Sequence, residues 1–236
     1  DVRVRRAVSM LLDRKGLAEK VWEGQATPVA LFSSALHPYF LDLEAFPPEV
    51  RKYAEYRPEE AMRLLAEAGY PGGKGLEATL NHTLATTRIQ IEWSEFLIES
   101  LAKVGIKVKP NWMEYSRYAL TTLAGDFHGL GTGGLSVPDP YAVFDLFVST
   151  SDPALNKGRI KDAELDRLIA EFLRTVDDAK AKELARQIQV RIFDQVYVLV
   201  APFTYFYALS QPWVHNYLVA NEASAGLWAE KVWLDR

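Results

Sequence analysis

The side chains able to carry acid–base, nucleophilic or metal chemistry are few and scattered. The chain of 236 residues has no cysteine and four histidines, which excludes thiolate metal sites, cysteine nucleophiles and a disulfide framework. His37, His82, His128 and His215 form no His-x-x-x-His pair and have no carboxylate at metal-ligand spacing, so they read as isolated surface or core residues and no metal is expected. Gly129, Gly131, Gly133 and Gly134 superficially suggest a phosphate loop, but no Lys-Ser/Thr follows and the G-x-G-x-x-G register is broken. Backbone that bends sharply or approaches a ligand explains these glycines better. Asp126, Asp139 and Asp145 share one loop-rich stretch and are the candidates for a glycosidase carboxylate pair, although Asp139 precedes Pro140 and such pairs form turns. G-x-S-x-G is absent. The expectation is a chain without catalytic residues and without a cofactor.

The aromatics carry more information than the titratable groups. Trp22, Trp93, Trp112, Phe144, Phe147, Tyr205, Phe206 and Tyr207 are expected mostly in a core, because large rings supply much of its buried area. Tyr115 and Tyr118 stand apart, since they follow a strand ending at Trp112, where an α/β layer exposes its ligand-binding edge. Net charge sharpens the choice of partner: 27 Lys and Arg against 31 Asp and Glu give −4. No positive field is available for phosphate backbones or anionic lipid, and nucleic acid is not an expected partner.

The elements that must position these residues show in the apolar spacing. Val4, Ala7, Val8, Leu11 and Leu12 lie on one helical face, and Asp13 can cap a second short helix ending near Gly24. Residues 25–57, with four prolines, read as a long ordered loop packed over a surface. Pro58, Glu59 and Glu60 open a helix that Gly69 closes. Leu76 to Leu84 alternate, a helix runs from about Thr87 to Val104, and Ile106 to Trp112 alternate again, a strand–helix–strand unit. A helix over 114–124 follows. Two amphipathic helices with Leu165, Leu168, Ile169 and Phe172 inward, then Leu184, Ile188, Ile192 and Val196, joined near Thr175 and Asp177, look like a hairpin covering the sheet. Val196 to Leu209 read as a strand broken by Pro202. With 49% hydrophobic residues the chain can bury one large core or two small ones, and no run reaches the roughly 18 apolar residues of a membrane span. The immediate entry into a helix at Asp1 suggests a piece of a longer protein.

The order of motifs resembles the C-terminal half of the oligopeptide/dipeptide-binding family of solute-binding proteins of ABC importers. The resemblance is carried by residues 3–28, 57–73, the Tyr115 to Phe127 helix and turn, Pro138-Asp139-Pro140, residues 163–184 and 211–217. It implies an α/β fold with a mixed sheet flanked by helices, a periplasmic-binding-protein-like type II lobe. Residues 1–197 are then expected as the ligand-binding lobe and 198–236 as the hinge-crossing strand and the segment returning toward a missing N-terminal lobe. By the same resemblance Tyr115 packs against the ligand, joined by Tyr118, Gly133, Gly134, Ser136 and Asp139. Family members that bind peptides hold the α-amino group with an aspartate shortly before the Asp-Pro pair; here Ser136 or Val137 stands there, and neither offers the ionised acceptor that such a bond uses. A Trp beside that acid is replaced by Gly133 or Gly134, leaving a roomier floor.

What the resemblance implies is a solute-binding component, not an enzyme, located in the periplasm or extracellularly, with a lipoprotein tether as one arrangement. Its partners would be a peptide or oligosaccharide solute, an ABC permease and the absent lobe, and the isolated chain would self-associate. A glycoside-acting enzyme using Asp126 or Asp139, and a sensory receptor module on the same fold, are the alternative readings.

Overall fold

The computed structural model describes residues 1–27, 29, 31–32, 38–132, 140–150, 155–204, 209–216 and 232–235. In chain order the elements are α1 (Val2–Met10), α2 (Arg14–Val21), β1 (Ala26–Thr27), α3 (Pro48–Arg51), α4 (Pro58–Glu67), β2 (Glu77–Thr83), α5 (Arg88–Ala102), β3 (Lys107–Met113), α6 (Tyr115–Tyr118), β4 (Leu130–Gly131), α7 (Pro140–Asp145), α8 (Ala163–Phe172), α9 (Asp178–Gln195), β5 (Phe203–Thr204), β6 (Val214–His215) and β7 (Trp233–Leu234). Their starts are set by local chemistry. Asp1, Asp13, Thr87, Asp162 and Asp177 each accept a backbone N–H from the first turn of α1, α2, α5, α8 and α9, satisfying donors that a helix leaves unpaired. Pro58 occupies the first position of α4 with Glu59 and Glu60 behind it, where a missing N–H costs nothing and negative charge suits the helix dipole.

β2 is the middle strand of a three-stranded sheet in the order β3-β2-β4, and all three strands run parallel. The register pairs Glu77 with Lys107 through Thr83 with Met113, and Leu80 and Asn81 with Leu130 and Gly131. Alternation sends Leu80 into a core made with α1, α4 and α5, where Ala7, Met10, Leu12, Ala61, Leu65, Leu97 and Leu101 are buried. On the opposite face Asn81 Nδ2 donates to the carbonyls of His128 (2.9 Å) and Leu130 (3.1 Å), and its Oδ1 accepts from Asn111 Nδ2 (2.9 Å). One side chain thus ties all three strands together. Gly129 makes this approach possible: its φ is +89°, and a Cβ there would stand 2.4 Å from Thr79 O.

Three sequence expectations need correction. The α8–α9 hairpin does not cover the sheet; it has its own core, in which Leu165, Ile169, Phe172, Ile188 and Ile192 pack with Phe144 of α7 and with Leu31, Phe32, Phe46 and Val50 of the proline-rich stretch. That stretch, expected as a loop lying over a surface, is a wall of this second core and contains α3 and a 3-10 turn at Leu43–Ala45. The run from Val196 is likewise not a strand interrupted by Pro202. Val196 adopts a left-handed conformation that closes α9, and a strand starts only after the proline, β5 pairing antiparallel with β1. Proline tolerates the beginning of a strand and not its interior. Among the described residues no helix is long and apolar enough to cross a membrane.

Candidate functional site

The carboxyl ends of β2 and β3 meet at Thr83 and Met113, and the chain leaving β2 is held to its neighbour by a bond from Leu84 N to Met113 O (2.7 Å). Glu114 then turns the chain into α6, its carboxylate accepting from Ser116 N at 2.8 Å. This places Tyr115 at the first helical position directly outside the sheet edge, with 52% of its surface exposed. Tyr118 follows one turn later with its ring 6.5 Å from that of Tyr115, yet only 4% of it is exposed.

The two tyrosines therefore stand in different chemistry. The Tyr118 hydroxyl donates to the carbonyl of Thr132, and Thr132 is itself anchored to Asn81 O through its N–H (3.0 Å) and its hydroxyl (3.2 Å). Burial pushes the Tyr118 phenol above its ordinary value, outweighing the opposite pull of the Thr132 bond. It stays neutral and bonded, bracing α6 against the end of β4. Tyr115 keeps an open face. Leu84 and Leu120 are exposed as well, Leu84 immediately beyond β2 and Leu120 in the π-helical turn that continues α6. Neither is among the residues that the sequence marks as ligand-binding; alternation gives Leu84 the parity of the buried Leu80 and so no signal of its exposure.

Beneath the edge, His82 is buried with its ring 4.7 Å from that of Trp112, and Nδ1 lies 2.9 Å from Thr83 O. Burial lowers its pKa, so at neutral pH it is an uncharged packing group. Asp126 is almost wholly exposed, 3.8 Å from Arg159, a solvated carboxylate. Gly133, Gly134, Ser136 and Asp139 lie outside the described residues, so the structure brings together Tyr115 and Tyr118 alone from the expected set. Among the described residues no group of His, Asp and Glu could hold a metal ion. Two shallow hollows lie elsewhere, one between α5 and β3, the other between α5 and the α1–α2 corner.

The comparisons with known proteins are consistent in kind. The family model described as bacterial extracellular solute-binding proteins, family 5 middle, matches residues 1–154. Heme-binding protein A of Haemophilus influenzae is 28% identical over 224 residues, which are 92% of this chain and 39% of that protein. The periplasmic oligopeptide-binding protein OppA of Salmonella typhimurium is 28% identical over 221 residues, again 92% of this chain and 39% of that protein. The chain therefore spans 39% of the length of either relative. In fold it is similar to the oligopeptide-binding protein AppA from Bacillus subtilis in complex with a nonapeptide, with a TM-score of 0.75 at 24% identity over 100% of this chain and 48% of that one.

Proposed function

The chain belongs to the bacterial extracellular solute-binding proteins of family 5, and from that membership we propose that it is the C-terminal lobe of a two-lobed protein that captures a solute outside the cytoplasm for an ABC importer. The observation that carries the reading is Tyr115, half-exposed at the carboxyl edge of a parallel sheet, the place where open α/β sheets take their ligands. An open edge is one wall of a cleft, and a solute gains its remaining contacts when a second lobe closes over it. Tyr118 serves the same site without touching the solute, by holding α6 and Thr132 in place. The relatives' names speak of binding, not of catalysis, and the reading here is a binding module in the periplasm or at the cell surface, with a lipid tether as one means of retention.

The finer reading concerns the solute. Ser136 and Val137 offer no ionised acceptor for an ammonium group, which favours an oligosaccharide, or a peptide whose amino terminus is held by another group. Thermal denaturation of the full-length protein against di- and oligopeptides, oligosaccharides and nickel chelates tests this, because a ligand that binds only the folded state raises the melting temperature. At least one class is expected to do so, and Tyr115→Ala is expected to weaken its binding by about tenfold while leaving the unliganded melting temperature unchanged. A panel without any shift, or a Tyr115→Ala variant that binds as the parent does, would overturn the assignment of this edge.

A further inference from the structure

Arg14 is 3% exposed, and among the described residues no carboxylate meets its guanidinium. Nε donates to Val200 O at 2.8 Å, Nη1 to Ser9 O at 2.9 Å and Ala54 O at 3.3 Å, and Nη2 to Ser9 Oγ at 3.0 Å. A buried charge without a counter-ion is costly, and burial lowers this pKa to about 10, which still leaves a cation at neutral pH. Carbonyl dipoles do the work of the missing acid. Ser9 lies in the last turn of α1, where unpaired carbonyls gather partial negative charge, and Ala54 ends the turns that follow α3. A planar fork of donors reaches several backbone segments at once, which an ammonium on a flexible stem does poorly.

The segments so joined are distant in sequence: the end of α1, the end of the proline-rich stretch, and the chain after α9. Here the two cores meet, since Leu199 packs on the sheet core and Val200 is buried in the helical one. Three residues further on, β5 pairs with β1. We infer that Arg14 is a positioning residue that fastens residues 197–204 to the lobe, so that they move with it and the pivot for lobe closure does not fall among them. This sets the boundary of the rigid lobe after Thr204, later than the Tyr197 that the sequence suggests. Closure rests on the two-lobed reading; the fastening does not.

Hydrogen exchange on the full-length protein tests the fastening without any solute, so failure of the solute panel leaves it standing and its own failure leaves the panel standing. In the wild type, peptides spanning 24–27 and 199–204 are expected to open together with α9 in subdenaturing urea. Arg14→Lys keeps the charge and loses the fork; it is expected to speed exchange in those two peptides at least about tenfold relative to α8 and α9. Ile188→Val, a comparable loss inside the helical core, is expected to speed α8 and α9 instead. Unchanged exchange in Arg14→Lys overturns the inference, as does a uniform rise along the chain, which would make Arg14 a general stabiliser. Should the variant not fold, the wild-type arm decides: early opening of 199–204 ahead of α9 refutes the fastening.

Discussion

Asp162 shows what one buried carboxylate can hold. It caps α8 by accepting from Glu164 N and Leu165 N, both at 3.2 Å, and takes Arg191 Nε at 2.8 Å and the Tyr197 hydroxyl at 2.9 Å. Burial raises its pKa, but the bonds from Arg191, Tyr197 and Leu165 prevail and the net shift is downward. A depressed folded-state pKa adds stability above the unfolded value of about 4 and loses it as pH falls through the folded value. Asp162→Asn is therefore expected to cost about 2 to 3 kcal/mol at neutral pH, toward the low end for a broken buried pair because Arg191 is partly exposed. In urea titrations at several pH values, the gap between wild type and variant should narrow below about pH 4; a gap constant across that range would refute the electrostatic account. In sequence Asp162 looks like any helix cap, since its partners lie 29 and 35 residues away and no local pattern announces them. The place of Tyr115 outside the sheet edge is legible because an aromatic just past a strand is a local feature.

Elements were readable where their signals are local and unreadable where packing decides. The starts of α2, α4 and α9 are legible from Asp13, Pro58 and Asp177, and the end of α4 from Gly69; Gly69 and Gly105, which follows α5, are both at positive φ. These two glycines nevertheless differ in a way that only tertiary structure reveals. A Cβ added to Gly69 would meet nothing within 4 Å, whereas a Cβ on Gly105 would meet Gly72 O at 2.5 Å. Gly69→Ala is expected to cost about 1 kcal/mol, the penalty of a left-handed conformation, and Gly105→Ala at least about 2 kcal/mol, because backbone has to shift as well. Urea midpoints of the two variants check the order; equal costs would show that the turn at 72–73 yields freely. Alternation puts Pro110 in a strand, and it is tolerated there because β3 pairs with β2 on one side only. The destination of the α8–α9 hairpin was hidden because an apolar stripe specifies a face to bury and not the partner that buries it. A sheet and a loop carrying Phe32 and Phe46 satisfy such a stripe equally well.

At the scale of the whole molecule, the two cores lie side by side, joined where α9 touches α1 and where Arg6 pairs with Asp194 at 2.6 Å. Among the exposed large apolar residues, four lie late in the chain. Leu209 is fully exposed, and Trp213, Trp233 and Leu234 are each about half exposed. Trp233 has one face covered already, by the His215 ring stacked at 4.1 Å, and β6 pairs with β7, so these side chains belong to one small ladder and its approach. The chain spans 39% of the length of these two relatives; on the two-lobed proposal such a surface would seat the other lobe, and a second copy is the nearest substitute at high concentration. The formal charge of −4 opposes association only weakly at physiological salt, where screening acts within about 8 Å. The 236-residue chain is therefore expected to show an apparent mass that rises with concentration in light scattering. Leu209→Ser together with Trp213→Ser should lower that rise, and added salt should not. A monomer at every concentration would mean that this surface is covered within the chain itself, and that the late segment is not a seat for a second lobe.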